Sequence, residues 1–184
     1  MNVQRFFASG LITALSGAKI KIGYRKNPLS IFFTKKVGHR LIGQHETSRN
    51  LDLIKELTDD KYVRPKLYPG VADEAKVAKY QGVPYLCIAP NSVWKTKELP
   101  ALKWVEIILA QEENWVIYLI GGPTDFEPCE ELRDMCDRNN LINLCGKLSF
   151  LESAALMKGA AMNYVNDSAP PHISSAIDAP CNAV

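Results

Sequence analysis

The sequence predicts an α/β fold with a parallel sheet covered on both faces, and three observations carry that prediction. From Val83 onward, short apolar runs of strand length alternate with helical segments of about 10 to 13 residues, the rhythm of βαβ units. The runs Tyr85 to Ala89 and Trp115 to Ile120 are apolar, as strands buried on both faces require. Upstream, a mostly apolar helical stretch is followed by Lys19-Ile20-Lys21-Ile22-Gly23-Tyr24, which alternates charged and apolar side chains and so adds a strand after a helix.

Taken in order, residues 6–18 have two readings. Phe7, Leu11, Leu15 and Ala18 recur at the spacing of an amphipathic core helix, while Arg5 before the run and Ser16-Gly17-Ala18 at its end resemble a secretory leader. Residues 19–24 read as a strand closed by Gly23. Residues 26–44 are irregular, and 45–57 resume a helical pattern with Leu51, Ile54 and Leu57 on one face. Turn residues without periodicity between Arg64-Pro65 and Pro69-Gly70 mark a domain boundary. The organisation expected is a first domain over 1–68, a linker region over 69–82 with a short charged helix near 71–80, and a second domain over 83–184. In that second, Rossmann-like domain, strands are expected at 85–89, 115–120, 141–144, 162–165 and 181–184. Helices are expected at 99–111, 127–139, 150–158 and 170–177.

Composition narrows the function classes. The 184 residues are 47% hydrophobic and 23% charged, an ordinary globular balance, and no stretch approaches the ~18 to 20 apolar residues of a membrane span. A net charge of only +2 points away from a nucleic-acid partner. Five cysteines (Cys87, Cys129, Cys136, Cys145 and Cys181) form an odd set with no metal-knuckle spacing, which fits a reduced cytoplasmic compartment. His39, His45 and His172 are too scattered to form a metal site alone. There is no Gly-x-Gly-x-x-Gly and no Walker-type loop, which argues against dinucleotide oxidoreductases and P-loop enzymes.

Ligands of open parallel sheets bind beyond the carboxyl ends of the strands, so three loops are of interest. Residues 89–100 combine Asn91, Ser92 and Thr96 with Lys95 and Lys97, which could neutralise phosphate or simply be solvated. Residues 121–125, Gly-Gly-Pro-Thr-Asp, permit close backbone approach or make a tight turn. Residues 166–172, Asn-Asp-Ser-Ala-Pro-Pro-His, begin a helix that Asp167 or Ser168 could cap; exposed amides there, with the helix dipole, could hold a diphosphate that His172 would also face. All three loops leave one sheet edge.

These loops, with Pro90-Asn91-Ser92, Lys97-Glu98-Leu99-Pro100, Leu119-Ile120-Gly121-Gly122-Pro123, Asn143-Leu144-Cys145-Gly146-Lys147-Leu148-Ser149 and Asn166-Asp167-Ser168-Ala169-Pro170-Pro171-His172 in this order, resemble those of glycosyltransferase family 9, the bacterial heptosyltransferases. The likeness is strong over 83–184 and weaker upstream. It implies the GT-B architecture, two Rossmann-like domains with parallel sheets, here truncated at both ends. The implied function is transfer of a heptose from ADP-heptose, or a related nucleotide sugar, to a lipid-linked lipopolysaccharide core acceptor with inversion. Neither a metal nor a cofactor is implied beyond the ADP-sugar donor. The expected location is cytoplasmic, with peripheral contact at the inner membrane.

Carried over position by position, Lys97 resembles the lysine on the donor phosphates. Asp167, Ser168, Ala169 and His172 match the Asp-(Ser/Thr)-Gly-x-x-His element that grips diphosphate and sugar. Asn91 and Ser92 occupy a donor-contacting loop, and Asp125 and Leu148 fall at contacts to the nucleoside. Three departures stand out. Ala169 replaces the usual glycine, and Leu99 replaces a tryptophan. The general-base carboxylate of the resemblance falls ahead of Met1, so the expectation is a chain inactive by itself, with a non-catalytic nucleotide-sugar binding module as the alternative.

Overall fold

Near the start of the chain, Ile22–Tyr24 (β1) and Lys35–Val37 (β2) pair in parallel. The computed structural model describes residues 1–39, 43, 45–59, 61 and 63–184, and contacts divide the chain into two units, Met1–Val63 and Arg64–Val184. The last part of the aperiodic stretch, residues 40–42 and 44, lies outside the described residues.

In the first unit, Phe7–Leu15 forms helix α1 and Glu46–Asp52 forms α2, around a small core of Ile22, Tyr24 and Leu53. The expected core stripe of α1 is corrected: Phe7, Leu11 and Leu15 are exposed, and Gly10 is the buried residue. The reason is the buried Asn27, whose Nδ2 donates to Phe6 O at 2.9 Å; a Cβ on Gly10 would lie 2.2 Å from its Oδ1. Nothing bulkier than glycine lets the helix approach at that point. The expected face of Leu51, Ile54 and Leu57 is corrected too. Leu53 is fully buried and Leu57 exposed, because α2 ends at Asp52 and a 3-10 turn over Lys55–Leu57 rotates the later side chains away. β2 has no apolar alternation because only Val37 of its three residues packs against the small core; Lys36 is exposed and Lys35 pairs with Glu56 at 2.6 Å.

The second unit is Rossmann-like. Its strands are Tyr85–Ala89 (β3), Val116–Leu119 (β4), Leu141–Asn143 (β5), Met162–Val165 (β6) and Cys181–Ala183 (β7). All neighbours pair in parallel, in the order β5-β4-β3-β6-β7. The chain builds outward from β3 to β5, then returns to the other side of β3, so the direction of winding reverses between β3 and β6.

The helices are Val71–Val77 (α3), Ala101–Leu109 (α4), Phe126–Cys136 (α5), Phe150–Gly159 (α6) and Pro170–Ala176 (α7). Successive strand residues point to opposite faces, and the core divides accordingly. Tyr85, Cys87, Ala89, Tyr118 and Ile120 face a layer formed with Val77 of α3, residues of α6, and Ile173 of α7. Leu86, Ile88, Ile117 and Leu119 face Trp104 and Ile108 of α4 and Cys129, Leu132 and Cys136 of α5.

Residues 64–70 lie in the second unit: Arg64 Nη1 pairs with Asp178 at 2.9 Å and Leu67 N–H donates to Ala176 O at 2.9 Å. The segment 69–82 carries α3, whose Val77 is fully buried in the core beside α6. Helix α5 stops at Cys136, earlier than its apolar pattern suggests, because Asp137 takes a left-handed conformation at φ 46° that ends the helix. Among the described residues, no helix is long and apolar enough to cross a membrane.

Candidate functional site

The loops that follow β3, β4, β5 and β6 meet at the point where the winding reverses, around an open cleft of about 720 Å³. Asn91, Ser92, Asp125, Leu148, Ser168 and Ala169 line it. These are six of the nine residues singled out in the sequence. The other three, Lys97, Asp167 and His172, do not line it, but each stands beside the cleft in sequence, next to Glu98, Ser168 or Ile173, which do.

After β3 the chain turns through residues 90–99. The amide nitrogen of Asn91 reaches across to Asp125 O at 3.5 Å and to Cys129 Sγ at 3.3 Å, so this side chain is directed at the neighbouring loop. Ser92 N–H donates to Glu98 Oε1 at 2.9 Å, and the other oxygen of Glu98 takes Lys95 Nζ at 3.0 Å. Burial pushes the Glu98 carboxyl up, but the Ser92 N–H and the hydrogen bond and charge of Lys95 outweigh it, and the group titrates below its ordinary 4.5. A depressed carboxyl contributes its stabilisation above the ordinary value and loses it as pH falls through the folded value. The Ser92 amide resonance is therefore expected to hold its position down to about pH 4.5 and to shift only in more acid solution. A Ser92 amide that does not respond to acid would show that Glu98 does not hold this loop.

The loop after β4 owes its shape to Asp125. Its Oδ2 accepts Gly122 N–H at 2.7 Å, closing a turn over Pro123–Asp125 just ahead of α5. A Cβ on Gly121 would fall 2.6 Å from that oxygen. The loop after β5 is pinned against it: Gly146, at φ +71°, donates to Gly121 O at 3.0 Å and passes so close to Pro123 that a Cβ would lie 2.9 Å from its Cα. Beneath this wall Cys129 and Cys145 lie with their sulfurs 3.4 Å apart as thiols. The hydrogen bond that Cys145 Sγ–H donates to Cys129 Sγ, followed by burial, pushes the Cys145 thiol far up.

After β6, Asp167 Oδ2 meets Lys97 Nζ at 2.6 Å. The Lys97 hydrogen bond and charge, aided by His172, hold the Asp167 carboxyl below its ordinary range. The expectation that Asp167 or Ser168 caps α7 is corrected. Ala169 is the N-cap residue, with no side-chain cap, and the Asp167 carboxylate is engaged by Lys97 instead. Ala169 takes φ −70°, an ordinary conformation for a residue with a side chain. Pro170 and Pro171 have no N–H, and His172 N–H is used on Ala169 O at 3.1 Å.

Two contributors escaped the sequence reading. Glu98 lines the cleft, yet the sequence offers it only as one member of Lys97-Glu98-Leu99-Pro100, an acidic residue among lysines with no role of its own. Asn166 is fully buried at the end of β6, where it ties loops together. Its counterpart at the end of β5 is Asn143, which donates to Phe126 O and Glu130 and accepts Cys145 N–H. A signal was present: asparagine is disfavoured in strands, so an asparagine ending an apolar run points to a side chain with work on the backbone. Among the described residues, no three His, Cys, Asp or Glu side chains gather as a metal site.

The profile of glycosyltransferase family 9 (heptosyltransferase) matches residues 1–184. Among solved structures, a glycosyl transferase family 9 protein from Veillonella parvula DSM 2008 superposes with a TM-score of 0.80 at 17% identity, over 95% of this chain and 53% of that one. The E. coli ADP-heptose lps heptosyltransferase II gives 0.77 at 17% identity, over 96% of this chain and 59% of that one. An E. coli heptosyltransferase solved with ADP gives 0.65 at 21% identity, over 97% and 60%. The chain thus spans between 53% and 60% of the length of these structures, and at such identities the likeness is one of fold. No curated protein sequence matches the chain.

Proposed function

The chain belongs to glycosyltransferase family 9, and from that premise we propose that the cleft over β3, β4 and β6 holds the nucleotide diphosphate of an ADP-activated heptose. The observation that carries the reading is the convergence, at one switch point, of a cleft of about 720 Å³, a lysine at its side, and Ser168 and Ala169 in its lining. Support comes from the E. coli heptosyltransferase of the same fold that was solved with ADP.

In the proposed reaction the sugar passes to a lipopolysaccharide core acceptor with inversion. A carboxylate takes the proton of an acceptor hydroxyl, the oxygen bonds to the anomeric carbon, and the bond to ADP breaks with its electron pair leaving on the diphosphate. Charge grows on that leaving group, so the chain's contribution is electrostatic. Lys97 supplies a positive charge and Ser168 and Ala169 supply N–H donors, already ordered before the charge develops. Asp125 and Leu148, on the β4 and β5 side, are the proposed contacts to the nucleoside, and Asn91 and Ser92 flank the phosphates. Asp167 is held by Lys97 and serves as a donor ligand in this reading, not as the base. The first unit is proposed to belong to the domain that binds the acceptor.

Titrating the isotope-labelled chain with ADP tests the assignment. Saturable shifts are expected to concentrate at the amides of Ser92, Gly122, Ser168 and Ala169. Shifts scattered elsewhere, or none, would remove the donor-site reading. Supplying ADP-heptose and acceptor then separates the two forms of it, since binding without turnover identifies a nucleotide-sugar binding module.

A further inference from the structure

Asn166 is fully buried, and its side-chain amide is shared between the two ends of one loop. Its Oδ1 accepts Leu99 N–H at 3.1 Å and its Nδ2 donates to Pro90 O. Its own backbone N–H donates to Ala89 O at 3.2 Å. Residues 90–99 are therefore closed at the base by a single planar group on β6's carboxyl end. Inside the loop, Glu98 holds Ser92 N–H and Lys95, so the start, middle and end of the loop are tied to one carboxylate. The residue following Asn166 is Asp167, which Lys97 grips from the far end of the same loop.

We propose that Asn166 is a positioning residue: it sets the placement of Lys97 and Ser92, on one loop, relative to the Ser168 and Ala169 N–H groups, on the other. The ligand side of this proposal rests on the donor-site reading above. The chemistry demands an amide, because Pro90 O needs a donor and Leu99 N–H needs an acceptor within one side chain. An ionised aspartate supplies only acceptors and would face the Pro90 carbonyl with a negative charge. A protonated aspartate restores one donor and one acceptor in nearly the same shape.

That difference supplies the test, made on the full 184-residue chain. In Asn166→Ala, the loop is expected to loosen, the Leu99 amide to lose protection from hydrogen exchange, and the Asp167 carboxyl to titrate closer to the ordinary range as Lys97 drifts from it. ADP affinity, by calorimetry, is expected to fall about tenfold, the equivalent of one buried hydrogen bond. Asn166→Asp is expected to bind ADP as poorly near neutrality and to recover as pH falls and its buried carboxyl protonates. Lys95, Lys97, Glu98, Asp167 and His172 also carry charge around this point, so each value is compared with the unchanged chain at the same pH.

A side chain that only stabilised the fold would lower the melting temperature without moving the Asp167 titration or producing the pH rescue. A folded Asn166→Ala with an unchanged Asp167 titration, or an Asn166→Asp whose ADP affinity relative to the unchanged chain does not rise in acid, would overturn the proposal. If the unchanged chain binds no ADP, the donor-site reading fails, while the exchange and titration measurements still decide whether Asn166 places the loop.

Discussion

Lys97→Ala is expected to weaken ADP binding about a hundredfold, the scale of losing one preorganised charged donor from a site that stabilises developing negative charge. The expectation has two parts. The alanine removes the positive charge that stands 2.6 Å from Asp167, the residue that precedes Ser168. It also leaves the Asp167 carboxylate without its partner, so that an uncompensated negative charge faces the incoming diphosphate. Asp167→Asn introduced into the Lys97→Ala chain should therefore recover part of the loss, and by more than Asp167→Asn gains in the unchanged chain, which a purely additive pair of mutations would not do. Thermal stability should hardly change, because both side chains are about half exposed or more and exposed pairs contribute little to folding. Calorimetric titration of the two single variants and the double variant reads all three outcomes. An unchanged affinity in Lys97→Ala would reduce Lys97 to a surface partner of Asp167.

Trp104→Ala is expected to cost about 3 to 5 kcal/mol of stability, the range for truncating a large buried aromatic. Trp104 is 1% exposed and stands at the centre of the layer between the sheet and α4 and α5. Its Nε1 has no hydrogen-bond partner among the described residues. That makes Trp104→Phe the informative control. Phenylalanine keeps most of the apolar contact and removes an unpaired donor, so it should cost much less than alanine. Urea unfolding followed by helical circular dichroism measures both. Equal losses in the two variants would mean that the indole N–H carries the stability and that the packing argument is wrong.

The fold of the second unit was legible because its signal is local. Tyr85–Ala89 and Met162–Val165 are strands at the boundaries their apolar runs mark, and the helices between them fall within a few residues of their expected ends. The first unit was harder to read. Helix α1 touches its surroundings through Gly10 instead of through Phe7, Leu11 and Leu15, and β2 contains two lysines, so apolar periodicity pointed to the wrong face in one and to nothing in the other. Among the site residues, the loops were identified as sets, but their internal wiring was not. Asp167, one of two candidates for capping α7 as well as a donor contact implied by the resemblance, caps nothing and pairs with Lys97, 70 positions away in the sequence. Asn166 was read only as part of a motif, although it is the side chain that joins the two loops.

The sequence by itself determined which segments become strands and helices, that the sheet is parallel and buried on both faces, and which strand-end loops carry polar groups. Those properties follow from hydrophobic periodicity and turn chemistry, which act over a few neighbouring residues. Only the tertiary structure decided the rest: the strand order that brings residues 90–99 against 166–169, the pairing of Lys97 with Asp167, and the burial of Asn166 between them. Hydrogen bonds and ion pairs depend on distance and direction, and for groups far apart in the chain both are set by how β3 and β6 come to lie side by side.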